Sequence, residues 1–152
     1  IQPIVQEYRS TATTSKIALE VNLASGLPPV VVDEEIIGRL FGNLLDNALK
    51  YTPTGGRIEI RASLESSADG PHALCAVTDS GPGIAAEVQE TIFERFRRGA
   101  KPRPGRRGGT GIGLTYCRLA IEAHGGRIWV ESQVGHGSTF YLTLPVDTGQ
   151  GR

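Results

Sequence analysis

The chain has 152 residues, 39% apolar and 21% charged, with sixteen basic and sixteen acidic side chains. That is the composition of one globular domain and excludes wholesale disorder, a collagen-like fibre and a coiled coil. No apolar run approaches the roughly 20 residues of a membrane span, and no signal peptide opens the chain; two cysteines without metal-ligand spacing point to a reduced compartment.

Residues 1–15 read as a helix ending in a Thr/Ser cluster. From Ile17 to Leu23 the apolar Ile17, Leu19, Val21 and Leu23 alternate with Lys16, Ala18, Glu20 and Asn22, the pattern of a strand with one buried face. After a Gly-Leu-Pro-Pro turn, Asp33 is placed to cap a long helix running to about Lys50, stopped by Thr52-Pro53. Residues 57–64 alternate again, with Ile58, Ile60, Ala62 and Leu64 inward. A polar turn over 65–72 and a strand over 73–78 complete a hairpin. A glycine turn at 79–83 leads to a short helical stretch around 87–93. A further helix is expected from Gly111 to about His124, ended by Gly125-Gly126, and two last strands over 127–131 and 138–144 flank a glycine-rich turn. The tail at 146–152 is expected to fray. The clean alternation leaves one sheet face wet, so the expected fold is an α/β (α+β) two-layer sandwich with a mixed, mostly antiparallel sheet covered on one face by helices.

Two oddities of composition remain. Glycine supplies 20 residues, well above the usual ~7%, and methionine is absent, so Ile1 is no natural start and the chain reads as a piece of a longer protein. The neutral net charge also hides an asymmetry. Arg97, Arg98, Lys101, Arg103, Arg106 and Arg107 lie together with no acidic neighbour, on a body that is otherwise acidic. A basic, Gly/Pro-rich stretch of this kind suits an anion, although a solvated loop has the same composition.

Three features could carry chemistry. At about 100° per residue, Arg39, Asn43, Asn47 and Lys50 of the long helix share one flank beside the core stripe of Ile37, Leu40, Phe41, Leu44, Leu45 and Ala48. Two amides one turn apart followed by a Lys can hold a hydrated divalent cation and an anionic oxygen together, as Mg²⁺ and a phosphate require. Asp79-Ser80-Gly81-Pro82-Gly83-Ile84 follows a strand directly. Its glycines permit close backbone approach, and Asp79 offers an acceptor-only carboxylate suited to an exocyclic amine such as adenine's. Gly108-Gly109-Thr110-Gly111-Ile112-Gly113-Leu114 opens a helix, where exposed N–H groups and the dipole favour phosphate. It is neither a P-loop nor a dinucleotide fingerprint, because no Gly-Lys-Ser/Thr follows and no strand precedes it.

The order of these motifs is specific. Asn43-Leu44-Leu45-Asp46-Asn47-Ala48-Leu49-Lys50-Tyr51-Thr52-Pro53 closely resembles the N box of the ATP-binding catalytic domain of sensor histidine kinases. Residues 79–84 resemble that family's first glycine box, Ile92-Phe93-Glu94-Arg95-Phe96 its F box, and residues 109–114 its second glycine box. His124-Gly125-Gly126-Arg127-Ile128 and Gly135-His136-Gly137-Ser138-Thr139-Phe140 match the closing segments, and the likeness runs from about residue 15 to 145. The resemblance implies the sandwich fold shared with gyrase B, MutL and the heat-shock chaperones, with a glycine-rich ATP lid, here residues 97–110.

It also implies roles. Asn47 would ligate Mg²⁺ with help from Asn43, Lys50 would approach the phosphates, and Tyr51 would pack near the nucleotide. Asp79 would take the adenine amine, helped by Thr139, with Gly81, Gly83 and Ile84 shaping the pocket. Gly109, Thr110, Gly111, Ile112, Gly113 and Leu114 would meet the phosphates, and Arg98 the γ-phosphate. Arg95, where Pro is frequent, and Arg97, where an aromatic is common, depart from the pattern. ATP and Mg²⁺ are the implied ligands. A phosphoacceptor motif is not among the contexts of His72, His124 and His136, so the acceptor would sit on an upstream dimerisation domain of a cytoplasmic kinase, membrane-anchored or not. The domain itself would be monomeric, its parent a homodimer, and a response regulator its downstream partner.

An anti-sigma serine kinase of the same fold is disfavoured by the Asn-Ala-Leu-Lys-Tyr and His-Gly-Gly-Arg-Ile stretches. A gyrase-like or MutL-like nucleotide-gated dimerisation module would call for Glu at position 43 and a further domain after residue 145. Nucleic-acid binding lacks aromatic interleaving in the basic stretch and is not expected.

Overall fold

The computed structural model describes residues 1–94 and 112–149. Its elements are α1 (Gln2–Thr14), β1 (Ala18–Leu23), α2 (Glu34–Tyr51), β2 (Arg57–Ser67), β3 (Gly70–Asp79), a short α3 (Ala86–Gln89), α4 (Gly113–Ala123), β4 (Arg127–Ser132) and β5 (Ser138–Pro145). The strands form one sheet in the order β1-β2-β3-β5-β4, with β1 parallel to β2 and the other pairs antiparallel. Helices α2 and α4 lie on one face, and α1 packs beside α2 and β1 through Val5 and Ala12. This is the mixed, one-face-covered α+β sandwich expected from the alternation.

The register explains the core. Val21, Ile60, Val77, Phe140 and Val130 line up across the strands, and so do Leu23, Ala62, Cys75, Leu142 and Ile128. Onto these rows α2 presents Leu40, Leu44 and Leu45, and α4 presents Cys117 and Ile121, all at most 1% exposed. Each of these leucines and the isoleucine contributes roughly 1.5–3 kcal/mol of burial. The third row reads Leu19, Ile58, Asp79, Ser138, Ser132 and turns polar halfway across the same face. A polar end to a core row is where the site begins.

The opposite face is wet. Arg57 meets Glu20 at 3.7 Å and Glu59 at 3.6 Å, while Trp129 stacks on Tyr141 at 5.3 Å with the Arg127 guanidinium 4.6 Å over the indole. Such exposed ion pairs are worth little, so they keep this face solvated more than they hold it together.

Several boundaries differ from the sequence reading. The hairpin turn is only residues 68–69, because cross-strand pairing continues out to Ser67 and Gly70 despite the polar composition. The helix expected around 87–93 is one turn at Ala86–Gln89, after which Phe93 turns inward onto Phe140, ring to ring at 6.1 Å and nearly perpendicular. Leu23 is 37% exposed, because β1 is an edge strand whose end no helix covers. Asp33 caps α2 as expected, its carboxylate accepting from the Ile36 N–H at 3.0 Å.

Candidate functional site

Asp79 ends β3 on the covered face and is only 7% exposed. Its carboxylate accepts the Gly81 N–H at 2.8 Å and is held also by the Ser138 backbone N–H. Burial nevertheless outweighs these bonds and raises its pKa to about 6. A buried carboxylate with acceptor capacity left over suits a ligand that brings an N–H donor.

The turn after Asp79 is fastened on both sides. Ser80 Oγ accepts the Arg57 N–H at 2.8 Å, tying the turn to the start of β2. On the other side the Gly135 N–H donates to the Pro82 carbonyl at 2.8 Å, and the Ile84 N–H to Ser132 Oγ at 2.7 Å. Two glycines make this fit possible. Gly83 has φ +77° with its α-carbon against the Gln133 carbonyl, and Gly137 has φ +81° with its α-carbon against the Asp79 carbonyl, so neither position has room for a β-carbon.

The flank of α2 reaches the same place. Asn43, Asn47, Lys50 and Tyr51 are half-buried. The Tyr51 carbonyl lies so close to Gly81 that a β-carbon there would stand 3.2 Å from it, so the helix end and the Asp79 turn adjoin. The Lys50 ammonium sits 5.4 Å over the Tyr51 ring. Asn43 faces the first turn of α4, where a β-carbon on Gly113 would be 3.6 Å from its Oδ1. Its amide also bonds the Cys117 thiol, which burial pushes up to about 12 and so keeps protonated. Thr115 Oγ1 donates to the Phe93 carbonyl at 3.0 Å, joining α4 to the segment ahead of residue 95.

The fold thus brings together Asp79, Gly81, Gly83 and Ile84 with Tyr51, and Asn43 with Gly113. Ile112 is exposed at the N-cap of α4, and Leu114 packs against the core. Arg98, Gly109, Thr110 and Gly111 lie outside the described residues. Thr139 is a correction. Register places it opposite Thr78, to which it hydrogen-bonds at 3.1 Å on the other face of the sheet, away from the Asp79 side chain. The neighbour of Asp79 is Ser138, one residue earlier, because successive strand residues point to opposite faces.

Sequence reasoning also missed Ser132 and Gln89. Gln89 donates its amide to the carbonyls of Ile84 at 2.7 Å and Ser132 at 2.9 Å. The available signal for Ser132 and Ser138 was their inward parity: each sits two residues from an inward apolar one, Val130 or Phe140, where a hydrophobe is expected. Among the described residues no group of three His, Cys, Asp or Glu side chains could hold a metal. A cation at this site would therefore draw on amide oxygens, water and phosphate, and the half-buried Asn43 and Asn47 fit that set. A groove of about 350 Å³ between α1 and α2 touches this region only at Asn43.

Residues 32–148 match the family model described as histidine kinase-, DNA gyrase B- and HSP90-like ATPase. The adaptive-response sensory kinase SasA of Microcystis aeruginosa is 41% identical over 145 residues, 95% of this chain and 36% of that protein. SasA of Synechocystis is 39% identical, over 95% of this chain and 37% of that protein. The chain thus spans little more than a third of these relatives. Among solved structures, the mycobacterial sensor histidine kinase MprB has a TM-score of 0.78 at 32% identity, covering 95% of this chain and 92% of that one. Full-length ShkA in complex with AMPPNP has a TM-score of 0.80 at 27% identity, covering 97% of this chain and 29% of that one.

Proposed function

The chain belongs to the histidine kinase-, DNA gyrase B- and HSP90-like ATPase family, as an ATP-binding catalytic domain of the sensor histidine kinase type, and on that premise we propose that it binds Mg·ATP and transfers the γ-phosphate to a histidine on a separate phosphoacceptor domain. The observation that carries this reading is the buried Asp79 carboxylate at the polar end of a core row, beside the half-buried flank of α2. The AMPPNP complex of the similar ShkA supports the choice of nucleotide.

In this reading Asp79 accepts from the adenine amine, and the turn around Gly81, Gly83 and Ile84 shapes the wall beside the base. Asn47, with Asn43, would hold Mg²⁺, which when bound neutralises phosphate charge. Lys50 offsets the charge of the phosphates, and Tyr51 packs beside the nucleotide. Arg98, Gly109, Thr110 and Gly111 take their phosphate roles from the sequence alone, and the N–H groups opening α4 at Ile112 and Gly113 extend them. The domain's contribution is positioning and electrostatics. The attacking histidine nitrogen forms a bond to the γ-phosphorus as the bond to the bridging oxygen breaks and ADP leaves.

The whole chain, 1–152, acts in this reading as one catalytic domain with the lid at 97–110 and a tail at 146–152. It is placed in the cytoplasm, as part of a homodimeric parent that passes phosphate to a response regulator. Among the described residues no helix is long and apolar enough to cross a membrane. Calorimetric titration tests the nucleotide assignment: Mg·ATP binds well, Mg·GTP far less well, and Asp79→Asn abolishes ATP binding while the domain stays folded. Equal affinity for the two nucleotides would sink it.

A further inference from the structure

We propose that Ser132, braced by Gln89, is a positioning residue for base selection, holding the Asp79 turn and the residues opposite it in one fixed relation. The proposal rests on the reading of Asp79 as the adenine acceptor. Ser132 lies at the end of β4 and does not itself need to touch a nucleotide.

Its hydroxyl is used to capacity. Ser132 Oγ donates its one proton to the Gly137 carbonyl at 2.7 Å. It accepts the Ile84 N–H at 2.7 Å, and so takes the Ser138 hydroxyl proton at 2.8 Å. Those three partners surround Asp79. Ile84 closes the turn that Asp79 opens, Gly137 lies with its α-carbon against the Asp79 carbonyl, and Ser138 is the register partner whose N–H holds the carboxylate. One oxygen therefore joins both loops that fix where that carboxylate points. Gln89 clamps the same junction from α3, with one amide bonded to the carbonyls of both Ile84 and Ser132.

Without the hydroxyl, an N–H, a carbonyl and a second hydroxyl lose their partner together. The cheapest relief is for the two loops to part and admit water. The Asp79 carboxylate then keeps its charge and loses its fixed direction. A ligand that depends on that direction suffers, and one that does not is indifferent. The expected signature is a loss of discrimination between bases, beyond any loss of stability.

The test measures dissociation constants of Mg·ATP and Mg·GTP for the 152-residue chain and its variants, with thermal unfolding alongside. Ser132→Ala should weaken ATP about tenfold and GTP by less than about twofold, so the ATP preference falls about five- to tenfold. Ser132→Thr keeps the hydroxyl and should hold the preference within about threefold of the parent chain. Gln89→Glu replaces two donated bonds by repulsion at a half-buried surface position, and should lower the preference with the fold intact; it decides the matter if Ser132→Ala does not fold. An unchanged ATP preference in Ser132→Ala and Gln89→Glu, with only a lower unfolding temperature, overturns the proposal and leaves Ser132 a purely structural brace. A parent chain without preference for ATP overturns the Asp79 reading first, and this inference with it.

Discussion

Asp79 is 7% exposed, and burial raises its carboxyl from an ordinary 3.8 to about 6. A carboxyl raised on folding stabilises the fold only while protonated. Its contribution is complete below the unfolded value and is lost as pH rises through about 6. At neutral pH the ionised group therefore costs the fold on the order of 3 kcal/mol. Asp79→Asn removes that cost, so denaturant unfolding should show the variant more stable than the parent chain at pH 7.5 and no more stable at pH 3.5. The proposed function runs the other way, because the ionised carboxylate is the stronger acceptor for an adenine amine. Adenosine, which carries no titrating phosphate, should bind progressively more weakly as pH falls from 7.5 to 5, with a midpoint near 6. A flat profile in calorimetry would remove the carboxylate from the binding step.

Helix α2 has to serve two faces. Its core side buries Leu40, Leu44 and Leu45, and its flank carries Asn43, Asn47 and Lys50, spaced so that each turn offers one polar group. Asn47→Ala touches only the flank. In the intact kinase it should collapse phosphoryl transfer, measured with labelled ATP, far more than nucleotide affinity; transfer within a factor of two of the parent would make the flank a solvated surface. At the other end, Asp33→Ala removes the cap on the Ile36 N–H and should cost about 1 kcal/mol in urea unfolding. The Asp33 backbone N–H also donates to His124 Nε2 at 3.1 Å, while His124 Nδ1 bonds the Ala120 carbonyl at 2.7 Å. The imidazole thus ties the start of α2 to the end of α4.

For the whole molecule, that tie bears on where the proposed phosphoacceptor lies. Both nitrogens of His124 are engaged, His72 is half-buried in β3, and His136 lies in the turn before β5. The isolated chain should acquire no acid-labile phosphate from Mg·ATP, and a separate helical phosphoacceptor piece of the parent kinase should become labelled when added. Arg98→Ala should reduce that labelling and weaken ATP more than ADP, because its proposed partner is the γ-phosphate. Label on any of the three histidines of the isolated chain would mean that the acceptor is internal.

The sequence by itself determined the order of the main elements and the buried face of the central strands, because period-2 alternation and the apolar stripe of α2 are local properties of the chain; Leu64, expected inward at the end of 57–64, is 48% exposed. It also supplied the family, since the motifs stand in order along it. It did not decide where the polar groups meet. Thr139 and Ser138 are adjacent in the chain and so point to opposite faces, but only the antiparallel register of β3 and β5 sets Ser138 beside Asp79. Ser132 bonds Ile84 across 48 residues, and Tyr51 adjoins Gly81 from another element. Such contacts depend on how strands pair and loops pack: parity with Val130 and Phe140 marks Ser132 and Ser138 as inward, but not which residues they meet there.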